Sequence, residues 1–128
     1  MLGGLRNPWA QAAVFFALTG AIMDVAETWK QLRITADLSN AEAHLPLAPW
    51  HWLKYLALAL NGAAVASIAL SGEQRRWIIA VIGLLPLPLV AGAYMELLPT
   101  RPFSAAFALY WIALLALSFV ELLRKRSA

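Results

Sequence analysis

The stretch Gly20-Ala21-Ile22-Met23-Asp24-Val25-Ala26-Glu27 decides how this chain folds. It places two carboxylates three residues apart in a segment that is otherwise apolar enough to cross a bilayer. A charged side chain at the centre of a membrane helix costs about 2.5–3.5 kcal/mol on insertion scales. The sequence therefore predicts that another part of the chain pairs with Asp24 and Glu27, or that the protein uses them.

The composition is that of a membrane protein. The chain has 128 residues, of which 62% are hydrophobic and 13% are charged. A soluble domain is about 45–50% apolar and about 25% charged, so one small soluble core cannot bury this excess. The net charge of +3 does not indicate nucleic-acid binding, because the Lys and Arg residues flank the apolar segments. The absence of cysteine excludes disulfides, thiolate metal sites and a cysteine nucleophile.

Four apolar segments are long enough to span a membrane. Each has about 20 residues, which at 1.5 Å per residue matches a hydrocarbon core about 30 Å thick. Backbone groups in lipid must bond within their own segment, so these spans are helical. We expect an all-α integral membrane bundle of four transmembrane helices, antiparallel and up-down, with short links and a single domain. The predicted spans are residues 8–29, 50–71, 76–98 and 102–123, and residues 30–49 form an external link.

The positively charged residues predict the orientation, because cytoplasmic loops carry an excess of Lys and Arg. With four spans, the N-terminus, the second link and the C-terminus share one side, which holds the larger number. Both termini are therefore expected in the cytoplasm. This side carries Arg6, Arg75, Arg76, Arg124, Lys125 and Arg126, and the other carries Lys30, Arg33, Lys54 and Arg101.

Two helix faces are suited to close packing. Small residues recur at spacings of three and four along the first span and lead to the two carboxylates, so this face meets another helix rather than lipid. A matching face on the second span carries Lys54 at its outer end. Antiparallel neighbours would place Lys54 at the depth of the carboxylates, and an ion pair is expected. The first face is Ala10, Ala13, Ala17, Gly20, Asp24 and Glu27, and the second is Lys54, Ala57, Asn61, Ala64 and Ile68.

A polar cluster is expected in the outer half of the bundle. Three carboxylates around one lysine leave surplus negative charge, which suits a ligand, proton or cation site. Two other interpretations stay open: an ion-pair network that only holds the first two helices together, and charges exposed to water at the membrane surface. The expected members are Asp24, Glu27, Lys54 and Glu96, with Tyr94, His51 and His44 nearby.

Other residues carry weaker chemical signals. Asn61 is expected to bond to another helix or to contact a ligand. His44 and His51 are expected to be solvated; their ligand type would suit a metal together with carboxylates, but no closely spaced ligand motif supports one. Neither a metal nor another cofactor is expected. Pro86 and Pro88 are expected to kink or unwind the third span.

The Asp24-x-x-Glu27 pair, followed by Trp-x-Lys-Tyr at residues 52–55, resembles a group of uncharacterised bacterial four-helix inner-membrane proteins. Their pattern reads Asp-x-x-Glu-Asn, with a Lys-aromatic pair on the next helix, and Thr28 stands here in place of the Asn. The resemblance covers the first two helices. It implies a bacterial origin and a functional unit that includes Lys54, and it implies no activity. Small multidrug transporters have a similar length, but their first-helix carboxylate lies deeper and their local motif is absent.

These observations favour a non-enzymatic protein of the cytoplasmic (inner) membrane, either an accessory subunit or a small-ligand-binding protein. Its expected partners are the lipid bilayer and a second copy or a larger membrane complex, and not nucleic acid. One alternative is a small dimeric proton-coupled transporter, since four short helices rarely enclose a pathway. The other is a membrane-embedded enzyme acting on a lipid or quinone, with a carboxylate as acid or base.

Overall fold

The computed structural model describes residues 7–39, 42, 47–71 and 76–126, and the secondary structure of these residues is helical. Four helices are long and apolar enough to cross a membrane, with the third interrupted near its middle. The predicted all-α class and the four apolar helices are therefore confirmed. The helices are α1 (Pro8–Ala36), α2 (Ala48–Ser71), α3 (Trp77–Leu84), α4 (Pro86–Tyr94) and α5 (Arg101–Arg126).

The first helix is longer than the apolar segment that predicted it. It continues through residues 30–36 and ends where the Asp37 N–H bonds to the Arg33 carbonyl oxygen at 3.1 Å. Lys, Gln, Leu and Arg follow the apolar run, and all four are good helix formers. The end of a hydrophobic segment is therefore not the end of the helix, and the predicted link at 30–49 begins with helical residues.

The third span is divided at Leu85. Pro86 and Pro88 have no N–H, so they cannot bond to the carbonyls one turn earlier. Leu85 itself keeps right-handed helical dihedral angles, with φ −56° and ψ −41°. The expected interruption by the two prolines is confirmed.

The second half of this span ends earlier than the predicted position 98. Glu96 has a φ of 60°, in the left-handed region. The Glu96 N–H bonds to Ala93 O at 3.1 Å and the Leu97 N–H bonds to Gly92 O at 2.8 Å, which is the Schellman pattern of a helix C-terminus. Glycine usually takes this position, and another residue there costs about 1–2 kcal/mol.

The second helix is the centre of the fold. It packs against α1, α3 and α4, and α5 packs against α3 and α4. Glycines make the closest approach: a Cβ on Gly83 would lie 2.7 Å from the Gly62 carbonyl oxygen, and a Cβ on Gly62 would overlap the Gly83 carbonyl. The α2 and α3 backbones therefore touch directly, as small residues allow in membrane bundles.

Aromatic side chains of α5 fill the core. Phe103, Phe107 and Tyr110 are buried, and Trp52 and Tyr55 of α2 pack against the first two. The outward faces of the helices are also apolar, which is unusual for a chain in water. Exposed side chains there include Phe15, Leu18, Ile22, Val25, Ile78, Ile112 and Leu115.

Candidate functional site

The register between α1 and α2 positions the charged residues. Ala13 meets Asn61, Gly20 meets Leu58, and Asp24 meets Lys54, so residue numbers fall along α2 as they rise along α1. The two helices therefore run in opposite directions. Gly20 leaves room for this approach, since a Cβ there would lie 2.8 Å from Leu58 Cδ2.

Lys54 joins both carboxylates of α1. Its Nζ lies 3.0 Å from Asp24 Oδ1 and also donates a hydrogen bond to Glu27 Oε2. The Lys54 side chain is 13% exposed and that of Glu27 is 7% exposed, whereas that of Asp24 is 61% exposed. The cluster thus has a buried carboxylate paired with a partly buried lysine at its centre, and one exposed carboxylate.

His51 belongs to this cluster. Its Nδ1 lies 3.0 Å from Glu27 Oε1, and because a carboxylate only accepts hydrogen bonds, Nδ1 carries the proton. His51 was expected near the cluster and solvated; its side chain is 36% exposed, and its bond to Glu27 was not predicted. The spacing of three between His51 and Lys54, which puts both on one helix face, is the sequence signal that could have identified this contact.

Glu96 and Tyr94 lie apart from the cluster. The predicted third span extended to residue 98 and therefore included Glu96. In the structure α4 ends at Tyr94, and Glu96 lies in the turn that follows, at an exposed position. Among the described residues, its carboxylate has no ion pair or hydrogen bond. The Tyr94 ring packs on Trp52, with ring centroids 5.3 Å apart. His44 lies outside the described residues.

The charge of the cluster is smaller than predicted. Without Glu96 it holds two carboxylates and one ammonium, so its net charge is −1 when His51 is neutral. The arrangement is therefore chemically able to bind one proton or one cation.

Asn61 forms a second polar contact, deeper in the bundle. Its Nδ2 donates to the Ala13 carbonyl oxygen at 2.7 Å, and Tyr110 donates its hydroxyl hydrogen to Asn61 Oδ1 at 2.7 Å. The residue therefore links α1, α2 and α5, as predicted for an interhelical bond. Tyr110 was not identified from the sequence, although a buried tyrosine in an apolar helix requires a partner for its hydroxyl.

Within the part of the chain that the structure describes, no group of three His, Cys, Asp or Glu side chains is arranged to hold a metal ion. The polar groups of the site are instead used in bonds between helices. No protein-family model matches the chain, and comparisons with curated proteins and with solved structures find none similar to it.

Proposed function

We propose that this chain is a non-enzymatic integral membrane protein, which binds a small ligand or serves as a subunit of a membrane complex. In this proposal the cluster of Asp24, Glu27, His51 and Lys54 fastens α1 to α2. The observation that carries it is the position of the Lys54 ammonium, which is 13% exposed and is shared between buried Glu27 and exposed Asp24. A charged and paired lysine is neither a nucleophile nor a base, which argues against a catalytic role.

The proposed location is the bacterial inner membrane, with four antiparallel spans and both termini in the cytoplasm. Its support is the apolar outward surface, together with four helices of sufficient length and hydropathy. The distribution of Lys and Arg supports the orientation.

This topology is testable because the natural chain has no cysteine. A single cysteine at Ser39, between α1 and α2, is expected to react with a membrane-impermeant maleimide on intact spheroplasts. A single cysteine at Ser127, near the C-terminus, is expected to react only after lysis. The reverse labelling pattern would indicate the opposite orientation in the membrane. Labelling of both positions on intact spheroplasts would contradict an even number of spans.

One observation favours a second function, a dimeric proton-coupled transporter. Two chains of contacts connect buried Glu27 to the protein surface. One runs through the ring of His51, and the other runs through Lys54 to exposed Asp24. A relay that joins a buried carboxylate to exposed titratable groups is what proton coupling requires. The negative net charge would suit exchange of protons for an organic cation.

Proteoliposomes that contain a trapped pH indicator separate the two functions. A pH gradient is imposed with potassium and valinomycin clamping the potential, and tetraphenylphosphonium is then added outside. The leading proposal expects the internal pH to change no faster than in empty liposomes. If the internal pH changes faster with the protein present, and this faster change disappears in Glu27→Gln, the transporter function would be favoured over the leading proposal.

A further inference from the structure

A groove of about 940 Å³ opens between α2 and α4. Its α2 lining has the spacing 49, 52, 53 and 56, which is one face of a helix. At 100° per residue, that face is opposite the one with His51 and Lys54. The groove is therefore separate from the carboxylate–lysine cluster.

The dimensions of the groove suit a small molecule. Ligand pockets have volumes of about 300–1,000 Å³ and are mostly apolar. The α2 lining runs from Ala48 to Leu56, a length of about 12 Å at 1.5 Å per residue. The α4 lining includes Leu87, Val90 and Ala91. Most of the wall is therefore hydrocarbon, and an occupant needs an apolar body.

Aromatic and acidic groups line the same groove. The rings of Trp52 and Tyr94 stand nearly perpendicular, at 82°, and both line the groove together with Glu96. Glu96 is the one charged residue of the lining described here, and no cation of the described chain pairs with it. A carboxylate and two aromatic rings in one groove favour a positively charged occupant, by ion pairing and by cation–π attraction.

The backbone at Glu96 points to the same conclusion. Its φ of 60° is at the position of the Schellman turn that glycine would occupy without strain. The chain therefore keeps a carboxylate where a residue without a side chain would be more stable. Strained positions of this kind cluster at ligand sites.

We propose that the groove binds a membrane-dissolved organic cation. Its apolar body would lie along α2 and α4, and its positive head would rest against Glu96, Trp52 and Tyr94. A phospholipid is disfavoured, because the described residues of the lining offer its phosphate a carboxylate and no Lys or Arg. The inference rests on the proposed ligand-binding function and names its ligand class.

The test uses the full chain in detergent and two probes of equal shape and opposite charge. Tetraphenylphosphonium is expected to bind at least tenfold more tightly than tetraphenylborate by isothermal titration calorimetry. Glu96→Gln is expected to weaken binding of the cation by about tenfold. Glu42→Gln, which removes an exposed carboxylate in the link, is the matched control and should bind as the natural chain does.

Two further variants separate binding from folding. Glu96→Gly removes the carboxylate and relieves the strain, so it is expected to melt higher and still bind the cation about tenfold more weakly. Ala91→Leu, at an exposed groove position, is expected to weaken cation binding by filling space. Unchanged binding in Glu96→Gln, or equal binding of the two probes, would overturn the proposal. Either result leaves the topology and liposome measurements to decide the proposed function independently.

Discussion

Lys54→Met is expected to lower the free energy of unfolding in detergent by about 3–5 kcal/mol, the range seen when one partner of a buried ion pair is removed. The loss arises at Glu27, which is 7% exposed and would lose its ammonium partner and keep only the bond from His51. Asp24 contributes less to it than Glu27, because the Asp24 side chain is 61% exposed. The measurement is reversible unfolding of the detergent-solubilised protein in increasing SDS.

Two variants control for the change from Lys to Met. Lys30→Met alters the same residue type on α1, where the ammonium lies 5.4 Å from the centre of the Trp50 ring, and its expected cost is about 0.5–1 kcal/mol. The double variant Lys54→Met with Glu27→Gln removes both charges and should recover most of the lost stability. If Lys54→Met instead unfolds at the same SDS concentration as Lys30→Met, the cluster does not fasten the helices, and its charges are free for proton transfer.

Gly62→Ala has the second largest expected effect, about 3 kcal/mol of destabilisation. The new methyl group would overlap the carbonyl of Gly83, which is backbone and cannot rotate away. The α2 and α3 helices would have to separate, and overpacking of a close contact costs about 1–3 kcal/mol or more. The same SDS titration measures the change.

Gly20→Ala is the matched control, because it also adds one methyl group to a buried helical glycine. Its nearest neighbour is the end of the Leu58 side chain, at 2.8 Å, which can change rotamer. Alanine also favours a helix by about 1 kcal/mol over glycine, so the net change should be within about 1 kcal/mol. Equal losses in the two variants would mean that the α2–α3 backbone contact does not limit the packing.

The central ion pair could be predicted from the sequence because the helical spacing of its residues and the order of the helices in the chain both indicate it. Helical spacing places Asp24 and Glu27 on one face, and the depth of Lys54 follows because antiparallel helices that are consecutive in the chain are usually neighbours. The same reasoning located Asn61 between helices. These expectations concern residues within regular helices, where the residue number alone determines the height along the helix and the face on which a side chain lies.

The position of Glu96 depends on where a helix ends. The predicted third span included Glu96, whereas α4 ends at Tyr94 and leaves it outside the helix. A left-handed turn with a glutamate has no composition signal. Glycine at that position would have marked the end of α4. His51 was expected near the cluster but solvated, and its bond to Glu27 was not predicted.

The hydrogen bonds of Asn61 have a consequence for how far the helices can slide. Faces lined by small residues present nearly the same surface after a shift of one helical turn, about 5.4 Å. A shift of that size would pull Asn61 away from both the Ala13 carbonyl and the Tyr110 hydroxyl, leaving polar groups unpaired in the apolar interior of the bundle. This single amide therefore sets the vertical alignment of three helices, and with it the height at which Lys54 meets the carboxylates of α1.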